Sequence, residues 1–236
     1  MATSGTTAFN LDLSDILEEA YELCGLKMSS GYDYKTARRG LDLLFLEWQN
    51  KGLNLFSVET GTQTLTEGTL SYDLSSNVLE VIEAFIRTNS ESTTNQSDQT
   101  LRRISVSEYS HIANKLSQGK PSLFYLDKGA ANSTIKLWSV PDGSETYTLV
   151  YYYIKKIEDT GSLASNNAAI PTRYLPCLTY GLAYNIACKN NEALPKVPMI
   201  QQRYNELWNE VADSDRERAS VRFVPFNSYN WMFEKL

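Results

Sequence analysis

Residues 14–25 read SDILEEAYELCG, and their apolar side chains recur at the three- to four-residue spacing of one helix face. Ser14 is a residue type that caps helix starts, and Gly25 can adopt the left-handed conformation that ends them. We therefore predict a first helix over residues 14–24. Its inward stripe comprises Ile16, Leu17, Ala20, Leu23 and Cys24.

A second helix follows after a short loop, where residues 33–52 read DYKTARRGLDLLFLEWQNKG. The same spacing predicts a helix that is capped by Asp33 and runs to about Asn50, with Gly52 just past its end. Two helices joined by a short loop are expected to pair antiparallel. The predicted inward residues are Ala37, Leu41, Leu44, Phe45 and Trp48.

The middle of the chain has the composition of a β region. Short runs of threonine, valine and aromatic residues alternate with turn residues, as in antiparallel strands. Strands are predicted at 56–67, 69–74, 78–88, 101–104, 122–127, 134–140 and 145–156, with a short helix at 107–116 capped by Ser105 or Ser107. For residues 78–88 a helix remains an alternative. Residues 89–100 include no hydrophobic side chain and are predicted to form a mobile surface loop.

The last predicted strand is rich in tyrosine and follows the turn Pro141-Asp142-Gly143. Tyrosine fits a half-buried sheet face, so a core or sheet-face role is preferred to ligand stacking. The tyrosines concerned are Tyr147, Tyr151, Tyr152 and Tyr153.

The chain returns to a helical pattern after a second polar loop at 159–169. One helix is expected to begin near Pro171, and Gly181 within it would allow a tight helix crossing. The last helix begins near Pro198 and runs to about Ala219. Its predicted inward residues are Ile200, Tyr204, Leu207 and Val211.

The predicted fold class is α+β. An antiparallel helical bundle is built from the N- and C-terminal helices, an antiparallel β region is inserted between them, and an extended arm follows. The predicted divisions are 1–54 for the N-terminal helical pair, 55–158 for the β insertion, 170–219 for the C-terminal helical pair and 220–236 for the arm.

The arm, residues 220–236, reads SVRFVPFNSYNWMFEKL and is rich in aromatic residues with little charge. Pro225 disfavours a helix and pushes Val224 toward an extended conformation. Fully extended, the arm would reach roughly 55 Å at about 3.3 Å per residue. Two interpretations remain open: the arm packs back on its own domain, or it docks on another subunit or partner.

Composition and charge narrow the class of protein. A net charge of −6, from 28 acidic and 22 basic residues, argues against a protein that grips nucleic acid by neutralising phosphates, whereas an acidic wall past which DNA slides stays compatible. The first ten residues lack a secretory signal, and residues 175–188 are too short to cross a bilayer, so we expect a soluble, non-secreted protein. Cys24, Cys177 and Cys188 are predicted to be buried, reduced thiols.

Candidate reactive groups are few. His111 is the single histidine, and a lone histidine in a short amphipathic helix is more often a surface side chain than a base. The sequence has no phosphate-binding glycine loop, nucleophile elbow or metal-ligand spacing. The carboxylate pairs Glu18–Glu19 and Asp213–Asp215 are interpreted as solvated faces. We therefore predict no enzyme, no metal and no cofactor.

Several stretches carry a family resemblance through their succession along the chain. They are the opening helix 13–25, GYDYKTARR at 31–39, EWQNKGLNL at 47–55, VLEV at 78–81, IPTRY at 170–174, YGLAY at 180–184 and YNELW at 204–208. In this order they resemble the head-to-tail adaptor proteins of short-tailed bacteriophages, also called connector or tail tubular proteins.

The resemblance implies a structural virion protein at the head–tail junction, assembled in the host cytoplasm. It implies a ring, commonly of twelve subunits, whose partners are the portal protein and a tail tube or nozzle protein; DNA passes through the lumen, and no membrane is involved. The implied portal-docking residues are Val221, Arg222, Phe223, Val224, Pro225, Phe226, Tyr229, Trp231, Met232 and Phe233.

Two alternatives stay open beside this hypothesis. One is another neck or tail component, such as a stopper or nozzle-attached protein, with its main interface on the β region. The other is a small-molecule or glycan-binding module that uses Tyr151, Tyr152 and Tyr153. For the adaptor hypothesis we expect a monomer in isolation that oligomerises on the portal, because the arm needs a partner to become ordered.

Overall fold

A computed structural model of the chain describes residues 11–52, 55–92, 94–129, 132–161 and 170–215. Within these ranges the protein has five α-helices and two four-stranded sheets, which confirms the α+β class. The helices are α1 (Leu13–Cys24), α2 (Gly31–Asn50), α3 (Val106–His111), α4 (Leu175–Ala187) and α5 (Val197–Ser214). The strands are β1 (Val58–Thr64), β2 (Ser71–Asp73), β3 (Val78–Thr88), β4 (Ser97–Thr100), β5 (Arg102–Arg103), β6 (Leu123–Lys128), β7 (Ser133–Trp138) and β8 (Tyr147–Lys155). Short 3₁₀ turns lie at Leu55–Ser57, Thr172–Tyr174 and Asn191–Lys196.

The predicted caps of the first two helices are wrong by a few residues. Asp12, not Ser14, is the N-cap of α1, and Ser30, not Asp33, is that of α2. The Ser30 hydroxyl accepts the Asp33 backbone N–H at 3.2 Å, while the Asp33 carboxylate accepts the Ser30 N–H at 3.1 Å. This reciprocal arrangement places the acidic residue three positions inside the helix, so an acid near a helix start was mistaken for its cap. Gly25 ends α1 as predicted, with φ 75°.

Helix α4 lies at the centre of the helical part. The expected direct pairing of α1 with α2 is corrected, because both pack mainly on α4 and touch each other only slightly. The physical reason is that α4 buries side chains around most of its circumference, which is typical of a central helix. Its buried residues are Leu175, Cys177, Leu178, Thr179, Gly181, Leu182, Ala183, Ile186 and Ala187.

Gly181 makes the predicted tight crossing. A Cβ at this position would lie 2.8 Å from the Tyr204 ring on α5 and 2.9 Å from Leu44 on α2. The glycine therefore lets α4 approach two neighbouring helices at one level. The predicted inward residues of α2 and α5 are all buried, and of those on α1 only Leu23 is half-buried.

One prediction about the helical part is corrected, and another concerns a residue outside the described ranges. Cys24 and Cys177 are buried as predicted, whereas Cys188 is exposed. Helix α4 ends at Ala187, so the apolar stripe no longer continues at the next residue. Helix α5 ends at Ser214, and Ala219, the predicted end, lies outside the described residues.

The β region is a sandwich of two sheets whose inner faces form a second core. Sheet A has the order β1-β8-β3-β4, and sheet B has the order β2-β7-β6-β5. Residues 78–88 form a strand as predicted, and β7 and β8 flank the predicted turn, where Gly143 has φ 70°. The core includes Val81, Ala84, Ile86, Phe124, Ile135, Leu137 and Leu149.

Sheet B is not purely antiparallel, which corrects the predicted antiparallel β region. Strand β5 pairs with β6 in parallel, Arg102 opposite Leu123 and Arg103 opposite Phe124. Parallel neighbours need a crossover connection, and α3 with its following loop supplies it. Helix α3 is capped by Ser105 and ends at His111, well before the predicted residue 116.

Part of the predicted loop 89–100 is a strand. Strand β4 pairs antiparallel with the end of β3, from Phe85 opposite Thr100 to Thr88 opposite Ser97. The Arg87 guanidinium donates two hydrogen bonds to Asp98, at 2.8 Å and 2.7 Å. The prediction failed because an edge strand exposed on both faces needs no apolar residue.

The sandwich is fastened to α2 at the segment that leaves β8. The Ile157 backbone N–H donates to the Gln49 side-chain oxygen at 3.1 Å. The Thr160 hydroxyl donates to Asp42 at 2.8 Å, and Arg38 donates to the Gly161 carbonyl at 2.7 Å. Three successive levels of α2 therefore hold the outgoing chain. Among the helices of the described ranges, none is both long and apolar enough to span a bilayer.

Candidate interaction surfaces

The ten predicted docking residues, between Val221 and Phe233, lie outside the described residues. What the structure does describe is the end of α5 that precedes them. The Tyr174 hydroxyl donates to the Asp215 carboxylate at 3.2 Å and accepts from Arg173 at 2.8 Å. The C-terminal end of α5 is thus held against the turn before α4.

An aromatic group joins α5 to α2. Trp48 is fully buried, and its indole N–H donates to the Tyr204 hydroxyl at 3.0 Å. The Trp48 and Trp208 ring centroids are 5.7 Å apart, and the Lys51 ammonium lies 4.7 Å from the Trp208 ring. Burial raises the pKa of Tyr204, so its phenol remains neutral.

Helix α1 presents a strongly acidic outward face. Four exposed carboxylates occupy it, and within the described ranges none of them forms an ion pair. We call this the acidic face; it comprises Asp15, Glu18, Glu19 and Glu22. The predicted solvated character of Glu18 and Glu19 agrees with their exposure. Four like charges on one helix, without an ion-pair partner among the described residues, favour contact with a positively charged surface.

Helix α2 presents a different outward face, which combines cations with apolar side chains. Leu43 and Leu46 are 58% and 55% exposed and lie about one turn apart. Lys35 and Arg39 are exposed on the same side, nearer the start of the helix, and neither forms an ion pair within the described part of the chain. We call these four residues the α2 face.

Leu43 and Leu46 have no predicted role, although the sequence around them contains a signal of exposed apolar surface. Residues 41–46 read LDLLFL, and five of these six residues are apolar. One helix face can bury only about half of such a run, since neighbouring residues are about 100° apart around the axis. The surplus leucines must therefore face solvent or a partner.

The outer face of sheet A carries an aromatic pair. The Phe85 and Tyr152 rings meet edge to face with centroids 5.9 Å apart, and Tyr152 is 42% exposed. Tyr151 and Tyr153 point to the opposite side of the sheet and are buried, which agrees with the core role predicted for the tyrosines of this strand. Tyr147 is buried in the same core. The strand therefore does not present its three consecutive tyrosines together, and the glycan-binding alternative loses its basis.

The other side chains that could take part in chemistry or metal binding lie apart from one another. His111 ends α3 on the surface, with its Nδ1 2.7 Å from the Ser107 carbonyl oxygen. A cleft of about 500 Å³ between α1, α2 and α4 is lined by mixed charge, including Lys27, Asp33, Lys189 and Glu192. Over the described ranges, no group of three or more His, Cys, Asp or Glu side chains could hold a metal ion.

The three thiols should differ sharply in reactivity. Burial raises the pKa of Cys177 to about 12 and also raises that of Cys24, so both are almost entirely protonated at pH 8. Cys188 is exposed. We expect one thiol to react with a disulfide reagent in the native protein, and all three after unfolding in urea.

The matched control for this measurement is Cys188→Ala, which should remove the fast reaction and leave the two slow thiols. Two or more fast thiols in the native wild-type protein would show that the core around α4 is more open than described.

Comparison with known families defines the class of this protein. A family model described as SU10 adaptor protein matches residues 35–225, from α2 through α5 and beyond. The chain therefore belongs to the SU10 adaptor protein family, a family of structural adaptors of bacteriophages rather than of enzymes. A search of curated proteins found no match. The resemblance is thus confirmed for a phage adaptor and virion component, while its restriction to short-tailed phages stays a prediction.

Proposed function

We propose that this chain is a head-to-tail adaptor that forms a ring beneath the phage portal, docks there through its C-terminal arm, attaches the tail and lines the DNA channel. The observation that carries the proposal is the family match over residues 35–225. Membership of an adaptor family gives the class, and the surfaces of the chain support the particular role.

Ring formation requires two different surfaces on each subunit, because a head-to-tail contact joins unlike patches. The acidic face of α1 and the α2 face are such a pair of unlike surfaces. Twelve copies are proposed by resemblance. A net charge of −6 per chain favours a lumen that DNA can pass without adhering, since like charges repel phosphate.

The proposed division of labour assigns the helical part to the ring and the sandwich to the tail. The hydrogen bonds that Arg38, Asp42 and Gln49 make with the segment after β8 support this division. A domain that transmits force to a tail must be firmly attached to the ring. The outer face of sheet A, with Phe85 and Tyr152, is the surface proposed to meet the tail tube or nozzle protein.

The arm is proposed to dock through apolar anchors. Residues 220–236 include five aromatic side chains, and Arg222 is the sole ionic residue before Glu234. Aromatic side chains buried at the centre of an interface carry much of its binding free energy, and apolar contacts are little affected by salt. The arm follows the end of α5 that Tyr174 holds at Asp215.

Removal of residues 220–236 should abolish portal binding and leave the fold intact. The two hydrophobic cores are formed by residues between Leu13 and Val211, so we expect circular dichroism of the truncated chain to match that of the full chain. Phe226→Ala and Trp231→Ala should each weaken binding by at least tenfold, with little change between low and high salt. Sedimentation with the purified portal measures this.

Asn227→Ala and Ser228→Ala provide the matched controls, since they change polar residues of the same arm and should bind normally. Normal virion assembly with the truncated chain would refute the docking role. Portal-independent attachment to the tail through the sandwich would instead favour the alternative, another neck or tail component such as a stopper or nozzle-attached protein.

A further inference from the structure

We propose that in the assembled ring the acidic face of α1 packs antiparallel against the α2 face of the neighbouring subunit. This inference rests on the ring of the proposed function and names the contact that would build it. It concerns a second copy of this chain, and it follows from charge, spacing and the packing of the two helices.

The charges of the two faces are complementary. The acidic face offers four carboxylates, and the first half of the α2 face offers Lys35 and Arg39. Within the described ranges neither set forms an ion pair in its own subunit. Complementary charged patches steer association and fix the partner and register of a contact.

The spacing of the two faces also agrees. Leu11 and Glu22 are eleven positions apart, as are Lys35 and Leu46. At about 1.5 Å per residue, Lys35 and Leu46 span about 16 Å of α2, and Leu13 and Glu22 span about 14 Å of α1. Leu11 lies two residues before Leu13, ahead of the N-cap Asp12. An antiparallel arrangement therefore places Glu22 beside Lys35 and Leu11 beside Leu46.

The intermediate levels follow the same order: Glu18 faces Arg39, and Asp15 is level with Asp42, whose carboxylate accepts the Thr160 hydroxyl, next to Leu43. Leu11, which precedes the N-cap of α1, is 42% exposed, so an exposed apolar residue lies beside the start of α1 as well as near the end of α2. A parallel arrangement would instead set Leu11 against Lys35 and Glu22 against Leu46. Two opposite-charge pairs and one leucine pair thus favour the antiparallel register over this parallel one.

The contact must form between subunits. In one chain α1 and α2 turn their inner faces toward α4 and touch each other only slightly. Their outward faces therefore cannot meet within the same molecule. Joining an α1 face to an α2 face leaves one free face of each kind at the ends of the pair, so the contact can repeat and close into a ring.

Disulfide trapping tests the register directly. The background is Cys188→Ala, which removes the exposed native thiol. Leu11→Cys chains mixed with Leu46→Cys chains should form a disulfide-linked dimer, whereas Leu11→Cys mixed with Lys35→Cys should give at least tenfold less. A chain with both Leu11→Cys and Leu46→Cys should give a ladder of covalent species beyond the dimer.

Charge reversal tests the ion pairs. Glu18→Lys alone and Arg39→Glu alone should each lower the yield of the Leu11–Leu46 cross-link several-fold. Both reversals in one chain should restore it, because the opposite charges then face each other again between subunits. Glu145→Lys, an exposed change in a loop of the sandwich, should have no effect.

The trapping is performed on the full-length chain at high concentration and again with the portal present, while portal binding is measured separately. Cross-linking in register without portal binding would support the contact and sink the docking role. Portal binding without the cross-link in either condition would overturn the contact alone. A ladder that stops at the dimer, or equal yields at Leu46 and Lys35, would also overturn it.

Discussion

Trp48→Ala is expected to lower the free energy of unfolding by about 3–5 kcal/mol, the range for removing a large aromatic side chain from a core. Trp48 has no exposed surface and fills the space between α2 and α5. Its loss leaves a cavity there and removes the hydrogen bond to Tyr204. Urea unfolding followed by circular dichroism at the helix band measures the change.

Two variants separate the causes of this loss. Trp48→Phe keeps most of the apolar volume but removes the indole N–H, so it should cost clearly less than the alanine change. Trp208→Ala removes a half-buried ring from the same aromatic group and should also cost less. A Trp48→Ala protein within 1 kcal/mol of wild type would mean that α2 and α5 are not joined through this side chain.

Gly181→Leu should lower the free energy of unfolding by about 3 kcal/mol, the upper part of the range for overpacked cores. Even the first added carbon would lie 2.8 Å from the Tyr204 ring, which is too close for non-bonded carbon atoms. The Tyr204 ring cannot move away freely, because its hydroxyl accepts a hydrogen bond from the Trp48 indole N–H. Urea unfolding again gives the measurement.

Gly181→Ala and Gly40→Ala form the matched comparison, since each adds a single carbon to a helix-interior glycine. A Cβ at Gly40 would have its nearest neighbour, a Leu182 methyl group, at 3.5 Å, which is ordinary contact. Gly40→Ala should gain up to about 1 kcal/mol, because alanine has the higher helix propensity. Equal stability changes at the two glycines would contradict the tight crossing at Gly181.

Helix and strand positions could be predicted to a large extent from the sequence. The inward stripes of α2 and α5 follow from one spacing rule, and burial of a regular stripe is what stabilises a helix in a folded protein. Gly181 was recognised for the same reason, since glycine in an apolar helix is costly unless something packs closely against it.

The arrangement of these elements was harder to predict because it depends on contacts between distant parts of the chain. Nothing local to α1 and α2 shows that α4, more than a hundred residues later, separates them. The parallel pairing of β5 with β6 also depends on where the crossover through α3 returns. The polar β4 had no apolar pattern to reveal it, since its pairing is a backbone property.

The candidate surfaces, too, could be predicted only in part from the sequence. The acidic residues of α1 were visible as a charge run, but only the folded chain shows that they have no ion-pair partner among its described residues. Leu43 and Leu46 could have been flagged from their apolar run alone. Their alignment with Lys35 and Arg39 on one face became useful only when the packing of α2 on α4 was known.

The fastening of the sandwich to α2 has a mechanical consequence. The chain enters and leaves the sandwich through neighbouring strand ends, where Val58 is paired to Ile154. Two adjacent connections alone would let the sandwich rotate as a rigid body about the line that joins them. Gln49 and Asp42 grip the outgoing segment two helical turns apart, at Ile157 and Thr160, and so resist that rotation. A lateral force on the sandwich therefore acts as a torque on α2. In the proposed ring, α2 would transmit this torque to the next subunit.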